Sequence, residues 1–274
     1  MSLLRIAHRG GAALKPENTL AAFADAIERG ADGAELDVQL SRDGHVVVFH
    51  DYSLKADICR DARGAWLVAP TPRIIALTLD ELAAFDVGRP RPGSAYGRDH
   101  PLLEGIDGER IPLLSDVVAL ARRAAKPFRL FVELKSSFAD PALSAAPEIL
   151  ADKTLSVLTE CDFLDRSVFV GFDWRALLRI KQRAPQAQCW FTTMSQSCDA
   201  VKFGGSILEA IKAAGGDGWF ACWRDATPEA IAAAHRLGLK AGAWTVNDPD
   251  EMRRLAALRI DAICTDRLDL IMTL

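Results

Sequence analysis

The sequence predicts an α/β fold, a closed parallel (β/α)₈ barrel of the TIM type. Short apolar or β-branched runs followed by helix-period segments recur eight times along 274 residues, and that number of steps and that length suit such a barrel. Carboxylates, histidines and basic residues gather where those runs end, which is where a barrel builds its sites. A doubly wound open sheet is the structural alternative for the same alternation.

Leu4–Ala7 is the first strand, and a helix follows from about Asn18 to Arg29, with Asn18 or Thr19 able to cap it and Gly30 at its end. The second strand is Gly33–Leu40; a tight turn at Asp43-Gly44 returns the chain as Val46–Phe49, ending at His50-Asp51. Residues 52–111 break the rhythm with Pro, Gly and Arg, and only Thr78–Phe85 reads as helical, so this stretch is an insertion after the second strand. A helix near Leu114–Ala124 precedes the third barrel strand, Arg129–Leu134. Ser167–Gly171 is the fourth, followed by a helix opened by Asp173 and stopped before Pro185. Ala187–Phe191, Asp217–Ala221, Leu239–Trp244 and Arg259–Cys264 complete the eight, with helices beginning after Asn247-Asp248-Pro249 and from Arg267. The expectation is one barrel domain spanning 1–274.

Half of the residues are hydrophobic, enough for a sizeable core, and the net charge of −4 with scattered basic residues marks neither a nucleic-acid surface nor a polybasic membrane patch. Cysteines at 59, 161, 189, 198, 222 and 264 show no metal-binding spacing and read as reduced, mostly buried thiols. With no signal-peptide core and no apolar run of about 18 residues, a cytoplasmic protein without membrane insertion is expected. The sequence does not indicate an oligomeric state.

Within the second strand side chains alternate, so Glu35, Asp37 and Gln39 share one face while Leu36, Val38 and Leu40 share the other. Glu133 and Lys135 lie at the end of the next barrel strand. Three carboxylates from adjacent strands, uncrowded by Cys or His, suit a hard divalent cation: Mg²⁺ first, with Ca²⁺ or Mn²⁺ also suited. Arg9 and Lys135 offset the remaining charge and favour an anion such as a phosphate ester. His8 and His50 add groups that titrate near neutrality, as general acid–base chemistry requires. Trp190, Trp219 and Trp244 near strand ends can line a pocket or fill core, whereas His45, His100 and His235 lack such company and read as structural.

These residues together resemble the glycerophosphodiester phosphodiesterase family. His8-Arg9-Gly10-Gly11 followed by Pro16-Glu17-Asn18-Thr19 is similar to its H-R-G…P-E-N-T signature, and Glu35-Leu36-Asp37-Val38 with Asp43-Gly44 and His50-Asp51 to its E-x-D-V…D-G…H-D segment. Glu133-Leu134-Lys135, Trp244-Thr245-Val246-Asn247 and Thr265-Asp266 resemble its E-x-K, W-T-V-N and T-D motifs, in order from Arg5 to about Leu270. The resemblance implies a barrel that hydrolyses glycerophosphodiesters to glycerol 3-phosphate and an alcohol. By it, Glu35, Asp37 and Glu133 bind the metal, Arg9 and Lys135 hold phosphate, His8 and His50 exchange protons, and Trp244 packs near the glycerol. After His50-Asp51 the family commonly shows L-x-R-T-T, whereas this chain has Leu54-Lys55-Ala56-Asp57-Ile58, a departure in the loop that bears on the alcohol preference. Phospholipase D-like action on lysophospholipids and a non-catalytic metabolite-binding barrel are the rival readings; retention of both histidines and all three carboxylates argues against the second.

Overall fold

In the computed structural model, which describes residues 3–194 and 205–274, eight parallel strands close into a barrel. The strands are β1 (Leu4–Ala7), β2 (Gly33–Leu40), β3 (Val46–Val48), β4 (Arg129–Leu134), β5 (Ser167–Gly171), β6 (Gln188–Thr193), β7 (Gly218–Cys222), β8 (Lys240–Trp244) and β9 (Ala262–Thr265). Their order is β1-β9-β8-β7-β6-β5-β4-β2, and pairing of β1 with β2, Ile6 opposite Gly33 and Ala7 opposite Ala34, shuts the ring. That closure rules out the open-sheet alternative. β3 lies outside the ring, antiparallel to β2, and leads into the insertion.

Alternation along each strand builds two cores. Ile6, Phe131, Val168, Val170, Trp190, Phe220, Ala262 and Cys264 fill the barrel interior. Leu36, Val38, Leu130, Val132, Phe169 and Phe191 point outward and pack against the helices. Each such fully buried side chain contributes about 1.5–3 kcal/mol of apolar burial.

The helices are α1 (Leu20–Glu28), α2 (Leu79–Leu82), α3 (Ala95–Asp99), α4 (Leu114–Arg122), α5 (Pro147–Glu160), α6 (Trp174–Arg183), α7 (Ile207–Ala213), α8 (Pro228–Arg236), α9 (Pro249–Ala257) and α10 (Leu268–Ile271). Thr19, not Asn18, caps α1: its hydroxyl accepts from the Ala22 amide. Asp173 and Asp248 cap α6 and α9 in the same way, as their positions in the sequence imply. α3, α5, α7 and α8 add to the helices expected from their own patterns. In α5 the apolar stripe is blurred, because Thr154 sits on the buried face with its hydroxyl donating to the Leu150 carbonyl at 2.8 Å, while Ile149 faces solvent.

The insertion shares a satellite core with the β3 segment: Val47 and Phe49 pack with Leu54, Ile58, Cys59, Ile74, Leu82, Val87 and Ile111. Within it Arg60 pairs with Asp86 and Asp107, and α2 starts in a capping box between Thr78 and Glu81. Cys59, Cys161, Cys189, Cys222 and Cys264 are free, all but Cys161 buried, and burial pushes the Cys59 and Cys189 thiols up to about 12. Cys198 lies outside the described residues. Among those residues no helix is long and apolar enough to cross a membrane.

Candidate active site

Register places the acidic cluster. β2 and β4 pair in parallel with Asp37 opposite Glu133, and alternation turns Glu35 inward one step below Asp37. One oxygen from each of Glu35, Asp37 and Glu133 lies within 4.8 Å of the others. Glu35 and Asp37 are buried, a costly placement for carboxylates without a cation. Glu35 Oε1 is buried with no hydrogen-bond partner. An orphaned buried oxygen in an all-oxygen donor set fits a hard divalent cation, so the residues suit the metal their chemistry implies.

His8 and Arg9 reach this cluster from the turn after β1. Arg9 adopts φ 50°, Gly10 φ 83° and Gly11 φ 100°, and a Cβ on Gly10 would come within 2.7 Å of the Ala22 Cβ, so only glycine lets the turn lie on α1. The Arg9 amide donates to Glu35 Oε2 at 3.1 Å, and its Nη1 donates to both oxygens of Glu17 at 3.3 Å. Arg9 Nε lies 3.4 Å from Asp37 Oδ2 and makes no hydrogen bond. Lys135 Nζ donates to Glu133 Oε1 at 2.9 Å and stands 3.7 Å from Asp37 Oδ1.

Charge is distributed unevenly among the acids. Burial and the neighbouring charge of Asp37 push Glu35 up to about 8. Burial works against Asp37 too, yet His50, Arg9, Lys135 and the amide of Asn18, donating at 2.9 Å, hold its carboxyl well below the usual range. Burial lowers Arg9 and Lys135, but the surrounding carboxylates outweigh it and leave both above their ordinary values.

Each histidine leans on a carboxylate. His8 Nδ1 is 2.6 Å from Asp266 Oδ1, with its Nε2 facing Glu35 Oε2 at 3.8 Å. Asn247 Nδ2 donates to the other Asp266 oxygen at 2.7 Å, while Asn247 Oδ1 accepts from Thr265 and from the Asp266 amide. His50 Nδ1 is 2.6 Å from Asp51 Oδ1. Burial opposes a charge on His8, but Asp266 overrides it and raises the imidazole above its ordinary value. Burial also opposes the two carboxylates; His8 holds Asp266, and His50 with Lys55 holds Asp51, each down at about 2. Each pairing fixes its imidazole and directs Nε2 away from the carboxylate, the arrangement proton transfer needs.

A cavity of about 90 Å³ joins His8, Arg9, Glu35, His50, Glu133, Lys135, Phe172, Thr192, Phe220, Trp244 and Thr245. Larger cavities of about 610 and 500 Å³ open at the opposite, amino-terminal end around Lys240 and Asp261, without such a gathering of acid–base groups. Trp244 lines the small cavity, its indole donating to the Phe220 carbonyl and meeting Phe172 edge-on at 5.4 Å. Trp190 and Trp219 do not reach it. Trp190 fills the barrel below, against Phe131, and Trp219 points outward, donating to Thr193.

All eight site residues expected from the sequence therefore meet at one rim. Asp266, Asn247, Asp51 and Glu17 stand in the motifs but carry no role in the sequence reading, and Asn18 has only that of a helix cap; a carboxylate such as Asp266, which serves a histidine from the far end of the chain, leaves no local pattern. Phe172 gave no signal.

Residues 8–270 match the glycerophosphoryl diester phosphodiesterase family. The chain belongs to that family. A glycerophosphodiester phosphodiesterase from Caldanaerobacter subterraneus is 32% identical over 266 residues, covering 97% of this chain and 95% of its own. A crystal structure from Silicibacter pomeroyi assigned as a glycerophosphoryl diester phosphodiesterase superposes with a TM-score of 0.91 at 32% identity, covering 99% of this chain and 93% of its own. A phosphodiesterase from Oleispira antarctica, solved with its product sn-glycerol-3-phosphate, shares the fold at TM-score 0.77 and 24% identity, over 98% and 95% of the two chains. Family membership carries the reaction class: the chain is a phosphoric diester hydrolase acting on glycerophosphodiesters.

Proposed function

We propose that this rim is the active site at which the chain hydrolyses glycerophosphodiesters to glycerol 3-phosphate and an alcohol, within one barrel domain over residues 1–274 that carries 52–111 as an insertion. The observation that carries the reading is the convergence of Glu35, Asp37 and Glu133 within 4.8 Å beside two carboxylate-oriented histidines. Glu35, Asp37 and Glu133 would hold the cation, Mg²⁺ first among Mg²⁺, Ca²⁺ and Mn²⁺. When bound, the ion supplies Lewis-acid charge that stabilises the phosphoryl oxygens.

The chain's own groups do the rest. Arg9, with an Nε–H that makes no hydrogen bond, and Lys135 bind the non-bridging oxygens of the diester. One histidine takes the proton of the attacking group as a P–O bond forms; the attacker is water, or the glycerol 2-hydroxyl, in which case a cyclic phosphate results and water must then break its P–O bond to the 2-oxygen to give glycerol 3-phosphate. The other gives a proton to the departing alcohol as its P–O bond breaks. His8 is the base and His50 the acid. Trp244 packs against the glycerol carbons. The five free thiols among the described residues support a reducing, cytoplasmic setting.

The test is release of glycerol 3-phosphate from glycerophosphocholine, followed by a coupled assay in chelator-treated protein before and after adding Mg²⁺. Activity that appears with the ion, and a raised KM in Arg9→Ala and Lys135→Ala, is expected. Absence of glycerol 3-phosphate with Mg²⁺, Mn²⁺ and Ca²⁺ across choline, ethanolamine and glycerol diesters, or turnover of lysophosphatidylcholine alone, would overturn it.

A further inference from the structure

We propose that Lys55, contributed by the insertion, is a positioning residue that holds the proton-transferring His50 and the phosphate-binding Arg9 in one frame. The inference rests on the roles given to those two residues above and goes beyond them.

Lys55 Nζ stands 3.3 Å from Asp51 Oδ2 and 3.6 Å from Glu17 Oε1. Each of these carboxylates also faces the rim: Asp51 Oδ1 lies 2.6 Å from His50 Nδ1, and both Glu17 oxygens accept from Arg9. One ammonium therefore links the group that orients the histidine to the group that orients the arginine. Tyr96 completes the junction. Its hydroxyl donates to Glu17 Oε2 at 2.7 Å, and its ring lies under the Lys55 ammonium at 4.9 Å.

The backbone that carries this ammonium is hydrogen-bonded and packed. The Lys55 carbonyl accepts from the Ile58 and Cys59 amides, and Leu54, Ile58 and Cys59 are buried in the satellite core of the insertion. In the same turn the Asp57 carbonyl accepts from Arg91 and its carboxylate from the Tyr96 amide, which ties the start of α3 to the turn that carries Lys55. The Glu17 side chain is only 5% exposed, where charges interact strongly and a missing cation is felt. Without Lys55, Arg9 remains the cation hydrogen-bonded to Glu17, so its guanidinium is drawn toward that carboxylate and away from phosphate. Asp51 loses its second partner, and the His50 ring loses its fixed direction.

The experiment compares Lys55→Met, Lys55→Arg, Tyr96→Phe and His50→Ala with wild type. Each Mg²⁺-loaded enzyme is assayed on glycerophosphocholine and on a glycerophosphoryl nitrophenyl ester, with melting temperatures alongside. Lys55→Met should raise KM on both esters by on the order of tenfold, from the displaced Arg9. Its kcat should fall with the same ester selectivity as His50→Ala, though by less, and Lys55→Arg should restore both parameters. Tyr96→Phe, which touches Glu17 and not Asp51, should raise KM and leave the kcat ratio of the two esters unchanged. Wild-type KM in Lys55→Met, kcat losses whose ester selectivity departs from that of His50→Ala, or losses that track a lowered melting temperature without rescue by arginine would overturn the proposal. Failure of the wild type on both esters would instead overturn the underlying function.

Discussion

His8 and Asp266 are separated by 258 positions, yet Nδ1 of one lies 2.6 Å from Oδ1 of the other. The contact exists because β1 pairs with β9 in the closed ring, Ala7 opposite Thr265, so the turns following the first and last strands meet above the barrel. Closure of the fold and orientation of the histidine are one event.

Asp266→Asn should therefore cost activity without unfolding the barrel. Asp266 is what raises His8 against the lowering effect of burial, so its loss leaves burial unopposed and the imidazole titrates at lower pH. Turnover should fall by about 10²-fold or more, and an NMR titration of the metal-free variant should place His8 below its wild-type value. An unchanged titration with unchanged kcat would show that the pairing has no catalytic consequence.

Cation binding should release a proton. Glu35 is held up at about 8 by burial and by Asp37, so near pH 6–7 the metal-free protein carries a proton there that the ion must displace. Calorimetry in buffers of different ionisation enthalpy should report about one proton per ion, with affinity rising as pH rises toward 8. The folded value lies above the unfolded carboxylate value of about 4.3, so this group makes the metal-free fold less stable as pH rises from about 5 to 8. Glu35→Gln should remove that slope, stabilise the metal-free protein by about 1–3 kcal/mol at pH 8 and lose metal affinity. A variant that binds the ion as wild type does would exclude Glu35 as a ligand.

The two histidines should separate by leaving group. An aliphatic alkoxide needs a proton and a nitrophenolate does not, and lost acid catalysis costs on the order of 10²–10⁴ in rate. His50→Ala should lose most of its rate on glycerophosphocholine yet keep much of it on the nitrophenyl ester, whereas His8→Ala should fail on both. Equal losses for His50→Ala on the two esters would reverse or share the roles.

The sequence made the barrel and its rim legible for a physical reason: alternation in β2 puts Glu35 and Asp37 together on the face opposite Leu36 and Val38, and the charged groups at the other strand ends, not β2 alone, mark that face as the site rather than a solvated one. Strands and the residues at their ends followed from such local patterns. α5 did not, because Thr154 interrupts its buried face and satisfies itself within the helix. Trp190 and Trp219 illustrate a different limit. Both lie on strands, but barrel depth and strand parity, which depend on the register with Gly218 and Phe191, decide that neither reaches the cavity. The orienting group Asp266 depends on a contact across the chain that only closure creates.

If the strand-end carboxylates form a divalent cation site, phosphate is held beside it by Arg9 and Lys135. Anomalous scattering from crystals soaked with Mn²⁺ and glycerol 3-phosphate tests it most directly. One anomalous peak is expected within about 2.0–2.6 Å of an oxygen from each of Glu35, Asp37 and Glu133, with phosphate oxygens hydrogen-bonded to Arg9 and Lys135. A peak elsewhere, with Lys135 still bonded to Glu133 and the phosphate away from Arg9, would contradict it.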